Sequence, residues 1–179
     1  MKKFKRIIVC VISLFFLSVI LTSCGEYNFY NDFHGAGAEI ESENSFKALT
    51  LDEITAKRNQ NEEFVLFIGS SSDSKCVTRV TEIQEELTDI KYEGVVYFFS
   101  TKDYTTATKR TELQDKLNIK STTSSDYGMI AVGYHGRSVE FDTSDISNSN
   151  LDKFKVGSSK KLSFVAIADY VVLYCPQEN

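Results

Sequence analysis

The chain has 179 residues, of which 42% are hydrophobic and 25% are charged, and this length suits one domain of ordinary size with a short N-terminal addition. It leaves no room for a second enzyme-sized domain. The 25 acidic residues outnumber the 20 basic ones, and this balance argues against nucleic acid as a partner.

The N-terminus has the pattern of a secretory signal. Four of the first six residues are basic, and the apolar stretch at 7–21 that follows is short for a membrane-spanning helix. The stretch ends in LTSC at 21–24, which resembles the bacterial lipobox. This resemblance implies that residues 1–23 are removed and that Cys24 is modified with diacylglycerol. An uncleaved anchor, or an ordinary signal beside a coincidental cysteine, is the alternative interpretation.

Removal of this signal would change the net charge from −5 to −9, because the signal contains four basic and no acidic residues. We do not expect so acidic a chain to bind anionic lipid headgroups. Attachment to the extracytoplasmic face of a bacterial cell membrane would then depend on the acyl chains.

Residues 24–46 are predicted to form a tether. The segment mixes polar residues with Gly35 and Gly37 and shows no sustained period of 2 or 3.6. It holds more aromatic side chains than a spacer needs, and these rest either on the membrane interface or on the domain: Tyr27, Phe29, Tyr30 and Phe33. The domain is accordingly predicted to cover residues 47–179.

The domain is predicted to begin with a helix over residues 51–59, with Thr50 as its N-cap and Glu53 as the capping-box partner. The continuous apolar run at 64–68 then predicts a central strand that is covered on both faces, and Gly69 ends it.

The turn after this strand lies where α/β domains place their chemistry. Ser70, Ser71 and Ser72 are turn formers, and either Ser72 or Asp73 can cap the helix that follows. That helix is predicted over residues 74–89 from side chains at helical spacing: Val77, Val80, Ile83, Gln84 and Leu87. Cys76 therefore falls in its first turn.

Gly69 and the motif Asp73-Ser74-Lys75-Cys76 resemble the active-site line of the thioredoxin superfamily, and within it the small thioredoxin-like proteins described as bacteriocin-transport accessory proteins. That line is an apolar strand, a glycine, three turn residues and a Cys-x-x-Cys that opens the helix. The resemblance implies an α/β fold, a thioredoxin-like three-layer sandwich with a central mixed sheet. Here Asp73 stands at the first cysteine position and Cys76 at the second.

In the family the first cysteine is the exposed nucleophile and the second is the more buried resolving thiol. An aspartate can use the same positive helix end, but it cannot form a mixed disulfide. The resemblance therefore implies a thioredoxin fold without dithiol–disulfide exchange.

Residues 95–99 predict a second buried strand, parallel to the first because a helix connects the two. The next helix is predicted over residues 105–118. Residues 129–134 and 137–141 then predict a hairpin, as the family carries after its second helix.

The family also places a cis-proline just before this hairpin, opposite the active-site motif. The only proline here is Pro176, so the position near Tyr127 and Gly128 departs from the family pattern. Like Asp73 at the first cysteine position, this departure indicates a protein without dithiol–disulfide exchange.

Residues 142–179 are harder to interpret. A short helix is predicted over 144–154, with Leu151 and Phe154 buried. The β-branched and aromatic residues of 162–174 predict one strand, or two short strands broken near Asp169. In an alternative register the latter segment is the family hairpin and 120–160 is an insertion.

Cys76 and Asp73 are the candidates for catalysis. Because Cys10 would leave with the signal and Cys24 would be acylated, Cys76 and Cys175 remain, either as lone thiols or as a pair. We interpret Cys76 as a buried structural thiol, with a monothiol enzyme as the alternative. We interpret Asp73 as a helix cap beside a solvated Lys75, with a charged pair of the two or a remodelled binding site as the alternatives.

The loop of Ser70, Ser71, Ser72 and Asp73 is a candidate anion-binding site, since a helix N-terminus presents backbone N–H groups. It lacks the glycine and lysine pattern of a phosphate loop. His34 and His135 have no partners at metal-ligand spacing, so neither a metal site nor a cofactor is predicted.

Two hypotheses of different classes follow. The first is a redox-inactive, membrane-anchored accessory or binding protein with an unidentified protein or peptide partner, for which the resemblance implies a role in bacteriocin handling. The second is an exported thiol-disulfide oxidoreductase that uses Cys76 alone or with Cys175. Solvent exposure of the Cys76 sulfur distinguishes them.

Overall fold

The computed structural model of the protein describes residues 27–122, 127–158 and 160–174. The helices are α1 (Phe29–Gly35), α2 (Leu51–Asn59), α3 (Ser74–Asp89), α4 (Ala107–Leu117) and α5 (Phe164–Tyr174), with a 3-10 helix at Ser149–Phe154. The strands are β1 (Phe46–Ala48), β2 (Glu63–Gly69), β3 (Val96–Ser100), β4 (Met129–His135), β5 (Ser138–Asp142), β6 (Lys155–Val156) and β7 (Lys161–Leu162).

Five strands form one mixed sheet in the order β1-β3-β2-β4-β5. The strands β1, β3 and β2 are parallel, while β4 is antiparallel to β2 and β5 is antiparallel to β4. In the register, Leu66 of β2 lies between Tyr97 of β3 and Val132 of β4. The predicted parallel pair and the predicted hairpin beside β2 are therefore confirmed.

The central strand β2 is buried on both faces, as its continuous apolar run predicts. Val65 and Phe67 belong to a cluster that also contains the buried side chains of α1, α3 and α5. Leu66 and Ile68 belong to a second cluster with those of α2 and α4. Helices thus cover both faces of the sheet, which gives a three-layer α/β domain.

Local sequence signals place the ends of the first helices. Thr50 and Glu53 form the predicted capping box of α2, with the Glu53 amide donating to Thr50 Oγ1 over 3.2 Å. At α3 the cap is Asp73. The helix α4 ends at Leu117, and its C-cap is Asn118, whose left-handed φ of 55° stops further helical hydrogen bonding.

The prediction of one or two strands over residues 162–174 is wrong, because α5 occupies 164–174. The alternative in which this segment is the family hairpin is wrong for the same reason. Its buried residues follow a helical spacing along the face that packs on α3 and the sheet: Phe164, Ile167, Ala168 and Val171. The composition favoured a strand, but packing of this apolar stripe decides the outcome. The short helix predicted over 144–154 is a 3-10 helix at its C-terminal end, where Leu151 and Phe154 are buried as predicted.

The tether predicted over residues 24–46 is wrong for its described part, residues 27–46. Phe33 of α1 is fully buried, and the centroid of its ring lies 5.2 Å from that of Phe98 in β3. Phe29 stacks on Phe46 at 4.6 Å. The sequence left open whether the aromatic side chains rest on the membrane interface or on the domain. In the structure they pack on the domain, because these rings cover one face of β1 and β3.

The outer strand β5 contains a bulge. Gly133 pairs with Phe141 and Tyr134 pairs with Val139, so Glu140 is the extra residue. The backbone carbonyl of Glu140 accepts a hydrogen bond of 2.7 Å from Asn150 Nδ2, and its carboxylate binds Lys153 Nζ at 2.9 Å. The segment with the 3-10 helix therefore holds the outer side of this strand.

Candidate functional site

The candidate residues lie together at the carboxyl ends of β2 and β3, as expected for an α/β domain. Three connections meet there: the loop from Ser70 to Asp73, the residues after β3, and the residues before β4. Thr101 binds the carbonyl oxygen of Gly69 through its backbone amide at 2.8 Å and through its hydroxyl at 3.1 Å. These bonds fix the ends of the two strands relative to each other.

Asp73 is the N-cap of α3. Its carboxylate accepts a hydrogen bond of 2.9 Å from the amide of Lys75, and its own carbonyl accepts one of 3.0 Å from Val77. The side chain is exposed. A carboxylate here also gains from the positive end of the helix dipole. This geometry meets the predicted role of a cap.

The serine loop uses several of its backbone amides internally. The Ser72 amide donates to Ser70 Oγ at 3.2 Å, and the Asp73 amide donates to the Ser70 carbonyl at 3.0 Å. With the Lys75 amide bound to Asp73, three N–H groups that could hold an anion already have acceptors. The structure therefore favours a closed turn over an open cradle at this loop.

The side chain of Cys76 has no solvent exposure. Its sulfur lies directly against the backbone of Gly69, since a Cβ added to that glycine would be 2.3 Å from Sγ. Burial raises the pKa of Cys76 to about 12, with a backbone hydrogen bond from Ser70 opposing this and the charge of Asp73 adding to it. A thiol with such a pKa is a poor nucleophile at neutral pH.

The residues before β4 close over the start of α3. Gly128 has a φ of 71°, and a Cβ there would be 2.4 Å from Lys75 Cβ and 2.5 Å from the backbone nitrogen of Cys76. Only a glycine allows so close an approach of the two backbones. The place where the resemblance implied a cis-proline is thus taken by direct backbone packing on the motif.

Asp32 of α1 joins three parts of this edge. Its carboxylate accepts hydrogen bonds from Tyr27 Oη at 2.7 Å and from Ser71 Oγ at 2.6 Å, and it forms an ion pair of 2.7 Å with Lys102 Nζ. The side chain is only 15% exposed. The N-terminal segment with α1, the loop after β2 and the residues after β3 are therefore linked through one carboxylate, which we call the Asp32 hub.

The electrostatics of the hub follow from these contacts. Burial disfavours the charged form of Asp32, but the hydrogen bonds from Lys102, Ser71 and Tyr27 outweigh it and lower the pKa of the carboxyl. Burial, and next its hydrogen bond to Asp32, raise the pKa of Tyr27 well above its usual range. Asp32 is therefore ionised and Tyr27 is neutral across the physiological pH range.

The sequence analysis missed Asp32 because it lies in the predicted tether. A local signal was present. Asn28 is an N-cap, and its side chain accepts from the amide of Asn31 at 2.8 Å. Phe29 and Phe33 follow at the i, i+4 spacing of a helix face. Since α1 has only seven residues, this period is too short to stand out in a longer window.

The other candidate residues are spread over the chain. His34 stacks on Tyr30 at 4.9 Å, and His135 Nδ1 lies 2.6 Å from Glu63 Oε1 at the opposite end of β2. The described residues contain no group of three or more His, Cys, Asp and Glu side chains that could hold a metal ion. Cys24 and Cys175 lie outside the described residues, and so does the choice between a lone Cys76 and a Cys76–Cys175 pair.

Comparison with models of known protein families gives no match, and comparison with curated proteins gives no significant match either. Among the helices of the described ranges, none has both the length and the apolarity needed to cross a bilayer.

Proposed function

We propose that this chain is a thioredoxin-like, redox-inactive accessory or binding protein, held at the extracytoplasmic face of a bacterial membrane by a lipid on Cys24. The strand order and the parallel βαβ unit followed by an antiparallel hairpin support the thioredoxin-like assignment. Helices on both faces of the sheet support it further. A role in bacteriocin handling rests on the resemblance of the motif.

The observation that carries the redox-inactive assignment is the surroundings of Cys76. A dithiol catalyst needs an exposed thiolate at the helix start and a substrate-presenting loop opposite it. Here an exposed Asp73 caps the helix, the Cys76 sulfur has no exposure, and Gly128 packs against the backbone of the motif. These three features support an assignment without dithiol exchange, because a carboxylate takes the exposed position at the helix start and the remaining thiol is covered.

A binding role is supported by the fixed geometry at the carboxyl ends of β2 and β3. The Asp32 hub holds the N-terminal segment with α1 against the carboxyl ends of β2 and β3, so this face is built as a fixed surface. Fixed surfaces suit recognition of a protein or peptide, because little ordering is required on binding. A pull-down from membranes with the full-length chain is the direct way to identify the partner.

The proposal is tested by alkylation of the full-length chain in neutral detergent with iodoacetamide, followed residue by residue with peptide mass spectrometry. At pH 8 we expect Cys76 in the folded protein to react more than about 100-fold slower than in urea, because its thiolate fraction is small and its sulfur is covered. In parallel, insulin reduction should not exceed the rate of a Cys76→Ser variant.

Two outcomes would overturn the redox-inactive assignment. One is alkylation of native Cys76 at the rate seen in urea. The other is insulin reduction by the wild type that Cys76→Ser abolishes. Either result would favour the exported oxidoreductase, and the same experiment with Cys175→Ser would tell a monothiol enzyme from a Cys76–Cys175 pair.

A further inference from the structure

Tyr27 lies at the carboxyl edge of the sheet, by which we mean the carboxyl ends of β2 and β3 with the loop directly after each. Tyr27 Oη and Ser71 Oγ donate to the same oxygen of Asp32, over 2.7 Å and 2.6 Å. Lys102 Nζ binds the other oxygen of this carboxylate at 2.7 Å. The side chain of Tyr27 is therefore held next to both loops.

Packing of α1 fixes this position as well. Phe29, two residues after Tyr27, is 5% exposed, and its ring stacks on that of Phe46 with the centroids 4.6 Å apart. Phe33 is fully buried and contacts Phe98 of β3 edge to face. The backbone of α1 consequently keeps its place on the sheet, and the chain leads back from this place toward its N-terminus.

Cys24, the residue that carries the lipid in the proposed function, precedes Tyr27 by three positions. Three residues of fully extended backbone span at most about 11 Å, so the covalent chain limits the separation of the two Cα atoms. The acyl chains on Cys24 would insert into the bilayer and put its sulfur at the headgroup layer. The carboxyl edge beside Tyr27 would then lie close to that layer.

The opposite end of the sheet is farther from this point. The strand β2 has seven residues and rises about 3.3 Å per residue, so its two ends lie about 20 Å apart. The hairpin turn at Gly136 belongs to the far end, because the Gly136 amide donates to the carbonyl of Glu62 over 2.9 Å. A lipid on Cys24 is thus attached at one end of the sheet.

Charge opposes an arrangement in which the domain lies along the bilayer on the side of α1 and α3. The segment at 36–46 has three acidic residues and no basic one, and α3 has four acidic and two basic residues. Both helices cover the same face of the sheet. An anionic bilayer repels this side over a Debye length of about 10 Å. The repulsion turns this side away from the headgroups.

The carboxyl edge differs from that side in composition. Its two loops, residues 70–75 and 101–106, contain one aspartate and one lysine each, so each loop is neutral. All their other side chains carry a hydroxyl group: four serines in the first loop, and three threonines and a tyrosine in the second. Hydroxyl groups donate and accept hydrogen bonds, which suits contact with the phosphate and ester oxygens of headgroups. An anionic bilayer therefore repels the carboxyl edge less than it repels the side with α3.

We propose that the short connection to Cys24 holds the carboxyl edge against the phospholipid headgroups, so that this edge is the membrane-facing surface of the protein. The helix α3 begins at this edge with Ser74 and runs away from the bilayer to Asp89. The inference rests on the proposed lipid on Cys24 and adds an orientation to the proposed function. A protein or peptide that binds the carboxyl edge has to reach it at the headgroup layer.

The test uses single tryptophan residues as reporters, because the natural chain contains none. Ser72→Trp puts the reporter on the carboxyl edge, and Ser138→Trp is the matched change beside the hairpin turn at the far end. Thr105→Trp is a second reporter on the carboxyl edge, and all three positions are exposed. Each chain is purified from membranes with its lipid and bound to preformed vesicles of phosphatidylcholine and phosphatidylglycerol. The vesicles contain a lipid with a nitroxide on its headgroup, which quenches tryptophan emission at short range.

We expect Ser72→Trp and Thr105→Trp to lose most of their emission on these vesicles, and Ser138→Trp to keep it. A Gly/Ser linker of about 20 residues, inserted between Gly25 and Glu26, has a root-mean-square span of about 25 Å. It should restore most of the lost emission. The linker leaves the lipid and the domain unchanged, so it isolates the short connection as the cause of the quenching.

Quenching of Ser138→Trp as strong as that of Ser72→Trp would overturn the proposal, and so would full emission from both reporters on the carboxyl edge. Quenching that the linker leaves unchanged would also overturn it. Mass spectrometry of the N-terminal peptide separates this inference from the proposed anchor. If Cys24 carries a lipid and the reporters at the two ends are quenched equally, the orientation is wrong and the anchor stands. If Cys24 carries no lipid, both are wrong.

Discussion

At the scale of single residues, the contact between Gly69 and Cys76 ties the end of β2 to the start of α3. The sulfur occupies the volume that any side chain at position 69 would need. The glycine that ends the strand is thus required by the thiol beside it, and the two positions should behave as one packing unit.

We expect Gly69→Ala to lower the free energy of unfolding by about 2 kcal/mol, because the added methyl group overlaps the sulfur. In the Cys76→Ala background the same change should cost much less, since the sulfur is gone. Urea unfolding of the four chains gives the coupling. Gly35→Ala is the control, because a Cβ there meets no atom within 4 Å. Equal costs of Gly69→Ala in both backgrounds would contradict the packing described here.

The Asp32 hub predicts a pH-dependent stability. The folded-state pKa of Asp32 is lowered, so its stabilisation is present above the unfolded-state pKa of an aspartate and is lost as pH falls through the folded-state value. We expect Asp32→Asn to cost about 2 kcal/mol at pH 7, as for hydrogen bonds to a charged group, and progressively less below about pH 4.

The control for this prediction is Asp152→Asn, which breaks a 2.7 Å ion pair with Lys155 at an exposed site. That change should have a much smaller effect on unfolding at every pH. Urea denaturation of the wild type and both variants between pH 3 and pH 7 measures the difference. A cost of Asp32→Asn that does not vary with pH would mean that its charge is not what stabilises the hub.

At the scale of elements, the sequence predicts those whose signals are local. The capping box of α2, the apolar run of β2, the spacing along α3 and the hairpin of β4 and β5 all lie where expected. Each depends on neighbours within a few residues, so tertiary packing has little to override. In the candidate site, the roles of Asp73 and Cys76 were predictable for the same reason.

The elements that the sequence did not predict are decided by distant contacts. The helix α1 is short and gains its stability from rings on β1 and β3. In α5 the residue types favour a strand, while the contact with α3 and the sheet favours a helix. The Asp32 hub joins residues up to 70 positions apart, and no local pattern encodes such a contact.

The helical state of α5 can be tested at two alanines that lie two positions apart, Ala166 and Ala168. Ala168 is fully buried, whereas Ala166 is partly exposed. We expect Ala168→Asp to lower the free energy of unfolding by more than about 3 kcal/mol, because it buries a charge, and Ala166→Asp to lower it by about 1 kcal/mol or less. In a strand both residues would lie on one face and the two costs would be similar. Comparable unfolding midpoints for the two variants would therefore contradict the helix.

At the scale of the whole molecule, the acidic charge bears on attachment to the membrane. The chain has a net charge of −5, so an anionic bilayer repels it, and the proposed lipid on Cys24 would supply the attraction. We expect Cys24→Ala to move the protein from the membrane pellet to the soluble or secreted fraction. Cys10→Ala makes the same chemical change within the predicted signal and should leave the distribution as in the wild type. If Cys24→Ala sediments as fully as the wild type, the lipid is not what holds the protein.

The two outer strands of the sheet decide how readily one copy of the protein can add its sheet to that of another. An outer strand with unpaired backbone groups can recruit a strand from another molecule and start aggregation. On one side β1 has only three residues, and on the other side the bulge at Glu140 interrupts β5. Because Asn150 and Lys153 also bind the carbonyl and carboxylate of Glu140, a second chain would have to displace both before it could extend the sheet there. A bulged outer strand and a three-residue one therefore hinder two colliding copies from joining their sheets.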